Sequence, residues 1–168
     1  MRNSINRQVQ KSYYFLLPLL VACSLLFTST SCHNQPGPPS GECPPTPYDE
    51  IGPFYKPDTP VRSSVGSGYQ LEGQVKSAGN CRILAGARIE FWLVNEESEY
   101  DDAHRATVFS DRKGRYSFES NQPTDYVGRM PHIHIKVSAR GHETLITQHY
   151  PREGQSKSHF DLVLSLMN

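Results

Sequence analysis

The chain has 168 residues, with 17 Lys and Arg against 17 Asp and Glu, a length that suits one domain with extensions at its ends. Three basic residues and no acidic ones lie in the first 32 positions, so the remainder carries a net charge of −3. No basic patch or stripe is present, which argues against a nucleic-acid-binding surface.

Residues 1–32 are typical of a secretion signal, because a basic start precedes an apolar run at 13–27. That run is shorter than the roughly twenty residues that a membrane-spanning helix needs. It ends in small residues before Cys32, a pattern that resembles bacterial lipoprotein signals, in which the cysteine is lipidated. Cys23 also fits the cleavage pattern, but cleavage there would leave an apolar mature start, so Cys32 is favoured. An uncleaved anchor helix is the alternative, and each interpretation predicts an extracytoplasmic domain, either secreted or held by a lipid anchor at the periplasmic or outer membrane.

Residues 33–47 contain six prolines and two glycines, which are incompatible with a helix or a central strand. We interpret this stretch as a linker, followed by a folded domain over 48–168. Beyond the signal two cysteines remain, Cys43 and Cys81. In an oxidising compartment such a pair is expected to form a disulfide, and its wide spacing makes a poor zinc signature.

The domain shows short strand patterns separated by turn residues. We predict strands at 69–75, 87–94, 107–110, 115–119, 132–137, 143–150 and 159–166, with an acidic loop at 95–102 and a hairpin turn at 111–114. Only the signal segment has helical character. The pattern predicts an all-β fold, a β-sandwich of two mainly antiparallel sheets.

The strand predicted at 132–137 is the strongest candidate for chemistry. His132 and His134 share one face with Lys136, while the intervening apolar residues can enter a core. This arrangement leaves two imidazoles side by side on the opposite surface, where both can bind one metal ion without distortion of the backbone. A His-x-His pair alone is more often a polar surface pair, and a stable site needs one or two further ligands. The nearest candidates are tyrosines.

Several motifs, in their order and spacing, resemble the intradiol ring-cleavage dioxygenases of the catechol and protocatechuate types, in particular small secreted or lipoprotein members. The resemblance covers most of residues 43–164. It rests on Gly52-Pro53-Phe54-Tyr55, Phe91-Trp92 with Tyr100 eight residues later, Tyr126, Arg129, His132-Ile133-His134 and Gln148. One departure is Ser98, which stands where members of the family commonly have glycine.

The resemblance implies a ferric ion, Fe(III), held by two tyrosinates and two histidines, which by position are Tyr100, Tyr126, His132 and His134. Phenolate is a hard anionic ligand that favours Fe(III) over Fe(II). The implied reaction takes a catechol-like substrate and O2 and opens the ring between the two hydroxylated carbons to a muconate-type product.

The resemblance also implies roles beyond the ligand set. Tyr126 would leave the iron and accept a substrate proton. Arg129 and Gln148 would lie beside the bound ring and stabilise charge on it. Relatives often assemble from similar or different subunits, which is compatible with a homo-oligomer.

Two other interpretations stay open on the residues alone. One is a non-catalytic extracytoplasmic β-sandwich lipoprotein that binds a ligand or a protein, and the other is a zinc or copper enzyme built on the His-x-His pair. Neither needs phenolates or an arginine at these spacings, so the two tyrosines and Arg129 favour the dioxygenase. The other histidines are interpreted as non-ligands, with His104 and His149 held in reserve; they are His33, His104, His142, His149 and His159.

Overall fold

The computed structural model describes residues 42–168. The predicted signal segment at 1–32, with Cys23 and Cys32, and the predicted linker up to residue 41 lie outside the described residues. Within 42–168 every regular element is a β-strand, and that part of the chain has no helix long and apolar enough to cross a membrane.

Eight strands form two four-stranded sheets. They are β1 (Tyr69–Ser77), β2 (Arg88–Trp92), β3 (Arg105–Phe109), β4 (Arg115–Ser120), β5 (Ile133–Ser138), β6 (Leu145–His149), β7 (Lys157–His159) and β8 (Leu162–Leu164). One sheet has the order β3-β2-β5-β6 and is antiparallel throughout. In the other, β1 pairs with β4 antiparallel and with β7 and β8 parallel. The predicted fold class is therefore confirmed.

The single strand predicted at 159–166 is wrong, because the chain forms two short strands there, β7 and β8. Between them the Phe160 N–H donates to a β1 carbonyl at 2.8 Å, and the Asp161 carboxylate accepts the Gln74 N–H at 2.9 Å. A side-chain oxygen thus replaces a backbone acceptor, and the ladder is interrupted. Gly73 permits this step, since a Cβ there would collide with the Phe160 carbonyl. The other predicted boundaries differ from the observed strands by one or two residues.

The core lies between the two sheets and is built from alternate residues of the strands. Phe91 of β2 is fully buried and stacks on Phe118 of β4 with ring centroids 4.2 Å apart. Burial of a side chain of this size contributes roughly 1.5–3 kcal/mol. The fully buried side chains around this pair include Leu71, Ile89, Ile133, Ile135 and Leu162. Because β2 and β5 place their apolar residues inward, their polar residues face outward, where the candidate site lies.

A disulfide joins Cys43 to Cys81, as the two isolated cysteines predicted. The Thr46 N–H donates to the Val163 carbonyl at 3.0 Å. These contacts fasten the beginning of the described segment beside β8.

The outer face of the β3-β2-β5-β6 sheet is covered by the segment at 49–62. The Asp49 N–H donates to the Ile146 carbonyl at 2.9 Å, and the Arg62 N–H donates to the Thr107 carbonyl at 3.1 Å. The predicted alternation of residues 132–137 is correct, but the prediction that the imidazoles lie on the surface is wrong. His132 and His134 are only 3% and 2% exposed, because the segment at 49–62 and neighbouring loops cover them.

Candidate metal centre

Three donor atoms converge at the beginning of β5. The Tyr100 hydroxyl lies 3.2 Å from His132 Nε2 and 3.0 Å from His134 Nε2. The two Nε2 atoms are themselves 3.2 Å apart. Tyr100 belongs to the loop between β2 and β3, so the fold brings together residues more than 30 positions apart in the chain.

His132 is held with one nitrogen turned toward this cluster. Its Nδ1–H donates to the Met130 carbonyl at 2.7 Å, which leaves a lone pair on Nε2. Burial lowers the pKa of His132 and outweighs the Met130 hydrogen bond, which raises it. The ring is therefore neutral near pH 7, the form that ligates metals.

His134 is in close contact with Trp92 and Gly52. Its ring stacks on Trp92 with centroids 4.9 Å apart and planes 3° from parallel. Gly52 also lies against the ring, since a Cβ there would sit 3.1 Å from His134 Cε1. Burial lowers the pKa of His134 to about 3, and the charges of His132 and Arg129 add to the effect. A hydrogen bond with the Glu50 backbone acts in the opposite direction on this pKa and only partly offsets the shift.

The donor set fits a metal ion. Tyr100 Oη, His132 Nε2 and His134 Nε2 all bear lone pairs, and their separations of 3.0–3.2 Å are those of neighbouring donors on one ion with bonds of about 2.0–2.2 Å. A phenolic oxygen beside two imidazoles suits iron in its ferric state.

The Tyr100 phenol is enclosed by aromatic and charged groups. Phe54 stacks on its ring with centroids 4.4 Å apart and planes 14° from parallel. Burial raises the pKa of Tyr100 to about 12, while Arg129 and Arg105 lower it and Tyr126 raises it further. A cation at the centre would favour the phenolate, since bound ions dominate the local electrostatics.

The loop that delivers Tyr100 is closed by a side chain. The Asn95 Oδ1 accepts the N–H groups of Glu97 and Glu99 at 3.1 and 2.8 Å. Ser98 has φ of 62°, in the left-handed region that glycine adopts most readily. The departure at Ser98 therefore keeps the backbone conformation that glycine favours.

Tyr126 and Arg129 are the two ends of a tight turn. The Tyr126 N–H donates to the Arg129 carbonyl at 3.2 Å, and the Arg129 N–H donates to the Tyr126 carbonyl at 2.8 Å. Val127 and Gly128 between them have φ of 46° and 76°, the signs of a type I′ turn. Tyr126 lies edge-on to Tyr100 with centroids 5.2 Å apart. It thus borders the three-atom cluster, and its hydroxyl accepts and donates no hydrogen bond within the described residues.

Gln148 faces Arg129 and the segment at 49–50. Its Oε1 accepts from Arg129 at 2.9 Å, and its Nε2 donates to the Glu50 carbonyl at 2.7 Å. Gln148 is 4% exposed and is the direct cross-strand neighbour of His134. The structure therefore places Gln148 behind Arg129, where it orients the guanidinium, and does not place it in the wall of the cavity.

A cavity of about 300 Å³ opens at this cluster, a volume at the lower end for small-molecule sites. Aromatic rings form much of its wall, and the ligand candidates and the guanidinium form its polar end. The lining residues are Gly52, Pro53, Phe54, Tyr100, Tyr126, Val127, Arg129 and His134.

Sequence reasoning missed the stacking of Phe54 on Tyr100, the contacts of Gly52 and Trp92 with His134, and the place of Val127 in the cavity wall. Gly52, Phe54 and Trp92 lie in the motifs that carry the family resemblance, which was the only signal for them.

The two reserve histidines have other partners. His104 Nδ1 lies 2.8 Å from Asp101 Oδ1, and His149 Nε2 lies 2.7 Å from the Tyr69 hydroxyl. Within the part of the chain that the structure describes, neither joins the donor cluster.

No protein-family model matches the chain. It is 32% identical over 140 residues to a catechol 1,2-dioxygenase of Candida albicans, an alignment that covers 61% of this chain and 46% of the relative. It is also 32% identical over 131 residues to a hydroxyquinol 1,2-dioxygenase of Rhodococcus opacus, covering 58% and 43%. The chain thus spans less than half the length of these curated relatives.

Solved structures give a longer match. The dioxygenase domain of a dioxygenase–carbohydrate-binding protein fusion from Streptomyces sp. SirexAA-E superposes with a TM-score of 0.66 and 29% identity, over 73% of this chain and 99% of that domain. The hydroxyquinol 1,2-dioxygenase of Pseudomonas putida DLL-E4 superposes with a TM-score of 0.65 at 16% identity, over 73% and 67%. This second likeness shows the fold alone.

Proposed function

Curated and structural neighbours of this chain consistently indicate the intradiol ring-cleavage dioxygenase family, and on that premise we propose a specific activity. The protein is a non-haem Fe(III) dioxygenase that inserts both atoms of O2 into a catechol-like aromatic and opens the ring to a muconate-type product. The observation that carries the proposal is the convergence of Tyr100, His132 and His134 within 3.2 Å of one another at the end of an aromatic-walled cavity.

Four residues would hold the iron: Tyr100, Tyr126, His132 and His134. Bound Fe(III) would supply a Lewis acid that draws electron density from a catecholate and opens a ring carbon to O2. Tyr100 and the two histidines are buried or half-buried and already assembled. Tyr126 stands beside them, so it is the ligand that can move.

Tyr126 has the features of a proton acceptor. It is half-exposed and lines the cavity, and its hydroxyl has no competing hydrogen bond within residues 42–168. As a phenolate it can take a proton from a catechol hydroxyl when the substrate enters. Tyr126 would therefore both give up its place as a ligand and deprotonate the substrate.

Arg129 provides a fixed positive charge next to the ring. Guanidinium does not lose its proton in proteins and presents its donors in a rigid plane. The 2.9 Å bond from Arg129 to Gln148 fixes its direction, so its charge is in place before negative charge builds up on the substrate.

The location of the enzyme stays a prediction from the sequence. We infer an extracytoplasmic protein attached through a lipid on Cys32, with a linker that separates the domain from the membrane. Assembly into a homo-oligomer is likewise a prediction. Radiolabelled fatty acid incorporation by wild type and by Cys32→Ala and Cys23→Ala variants would identify the lipidated position.

The activity is tested on the iron-loaded full chain with catechol and isotopically labelled O2. We expect one O2 to be consumed for each catechol, with both labelled atoms in an acyclic dicarboxylic acid identified by mass spectrometry. His134→Gln should abolish uptake, whereas His159→Gln, which changes an exposed histidine outside the cluster, should not. If the iron-loaded wild type consumes no O2, the dioxygenase proposal is wrong and the non-catalytic binding lipoprotein takes its place.

A further inference from the structure

The turn that carries Tyr126 and Arg129 contains an unusual residue. Val127 has φ of 46°, a conformation that is a genuine outlier for a β-branched side chain. Type I′ turns ordinarily take Asn, Asp or Gly at such positions. Val127 is also 85% exposed, so packing within the described residues gives little compensation for this strain. Backbone strain of this kind is a reason to look for a role in function.

The Val127 side chain lines the cavity beside the candidate metal centre. The polar groups of that cavity belong to Tyr100, Tyr126, Arg129 and His134, all of which already have roles in the proposed reaction. The remaining lining residues are Gly52, Pro53, Phe54 and Val127. Among the described residues, this remaining wall offers a ring substituent an apolar surface and no polar side chain.

We propose that Val127 is a specificity-determining residue that contacts the substituent of the bound ring. The inference rests on the proposed dioxygenase function and names its substrate class: catechols that bear a small apolar substituent, in preference to catechols with a third hydroxyl. An apolar substituent covers the exposed Val127 side chain and gains contact with it. A third hydroxyl placed against the same wall loses water without gaining a partner, which disfavours its binding.

The test compares Val127→Asn with a matched control, Val61→Asn. Asparagine tolerates the left-handed conformation, and it replaces the methyl groups with an amide. Val61 is also an exposed valine, at 72%, and it does not line the cavity. The full chain is loaded with Fe(III), and anaerobic dissociation constants are measured for catechol, 4-methylcatechol and hydroxyquinol, followed by kcat/KM with O2.

We expect the wild type to bind 4-methylcatechol roughly tenfold more tightly than hydroxyquinol, the scale of one methyl group in an apolar pocket. Val127→Asn should reduce the preference for 4-methylcatechol over catechol by roughly tenfold in both measurements. Val61→Asn should leave all ratios unchanged. The apo protein gives a readout without turnover: Val127→Asn should raise the thermal midpoint by about 3 °C through relief of strain, and Val61→Asn should not.

The possible outcomes distinguish a failure of the role of Val127 from a failure of the dioxygenase function. If the wild type cleaves catechols but Val127→Asn keeps the substituent preference, the role of Val127 is wrong and the dioxygenase proposal stands. A wild-type preference for hydroxyquinol likewise overturns the substrate class. If the iron-loaded wild type cleaves none of the three, the dioxygenase function fails and the role of Val127 fails with it.

Discussion

Gly52 gives a sharp test of how the site is held together. It has φ of +70°, and a Cβ added there would lie 3.1 Å from Cε1 and 3.6 Å from Nε2 of His134. The stacked Trp92 ring and the burial of His134 limit how far the imidazole can withdraw. Gly52→Ala should therefore introduce two separate effects, a backbone strain and a displacement of His134 by a few tenths of an ångström.

The control variant Gly86→Ala separates the backbone strain from the displacement of His134. The φ of Gly86 is +68°, nearly that of Gly52, but a Cβ there would meet nothing within 4 Å. Each alanine variant should lower the free energy of unfolding by about 1–2 kcal/mol for the left-handed conformation. Only Gly52→Ala should move His134 Nε2 away from the Tyr100 hydroxyl, now 3.0 Å distant.

The assay combines urea unfolding with competition for Fe(III) between the protein and a chelator. We expect Gly86→Ala to bind iron like the wild type. Gly52→Ala should bind it roughly 10–100-fold more weakly, the usual scale for disturbing a residue that orients a metal ligand. Equal iron affinities for the two alanine variants would refute the argument that Gly52 positions His134.

Three further effects follow from the structure. Replacement of Cys43 and Cys81 by serine should lower the free energy of unfolding by about 3–4 kcal/mol, as measured in urea, because the disulfide closes a long loop. Burial raises the pKa of Asp161, but the hydrogen bonds from Lys76 and the backbone outweigh it and leave the pKa below its usual value. The stability that Asp161 adds should therefore be present above its unfolded-state pKa of about 3.9 and lost as the pH falls through the lower folded pKa. Midpoints of urea unfolding, measured between about pH 6 and pH 2, should show this loss in the wild type and not in Asp161→Asn. Gln148→Leu removes the acceptor that orients the Arg129 guanidinium, so under the proposed function kcat/KM for catechol should fall roughly tenfold while iron content stays unchanged. An unaltered kcat/KM would contradict the orienting role.

Local patterns in the sequence were sufficient for most of the fold. The alternation along 132–137 predicts a strand with its apolar residues inward, and Ile133 and Ile135 are indeed fully buried. Apart from the segment at 159–166, the strands were predicted correctly, because alternation and turn residues are local signals. The break at Phe160 and Asp161 was not predictable, because it depends on contacts with β1, far away in the chain.

The candidate site likewise contains some residues that local patterns predict and others that they do not. His132 and His134 attract attention as a pair on one strand face, but their burial depends on a segment more than 70 residues earlier in the chain. Tyr100 was singled out only through the family resemblance, since an acidic loop with a tyrosine has no strong signal of its own. The stacking of Phe54 on Tyr100 arises from tertiary packing that no local pattern encodes. The positive φ of Val127 runs against the local preference of a β-branched residue.

The central claim is that the Tyr100 phenolate and the two imidazoles bind Fe(III), and its most direct test is the visible absorption spectrum of the iron-loaded full chain, with metal analysis of the same sample. We expect a broad charge-transfer band from tyrosinate bound to Fe(III), which moves to longer wavelength when catechol is added without O2. Tyr100→Phe should weaken the band, whereas Tyr48→Phe, which changes a tyrosine that is 68% exposed, should leave it unchanged. A wild-type protein that stays colourless after iron loading, or a band that Tyr100→Phe does not alter, would contradict the account.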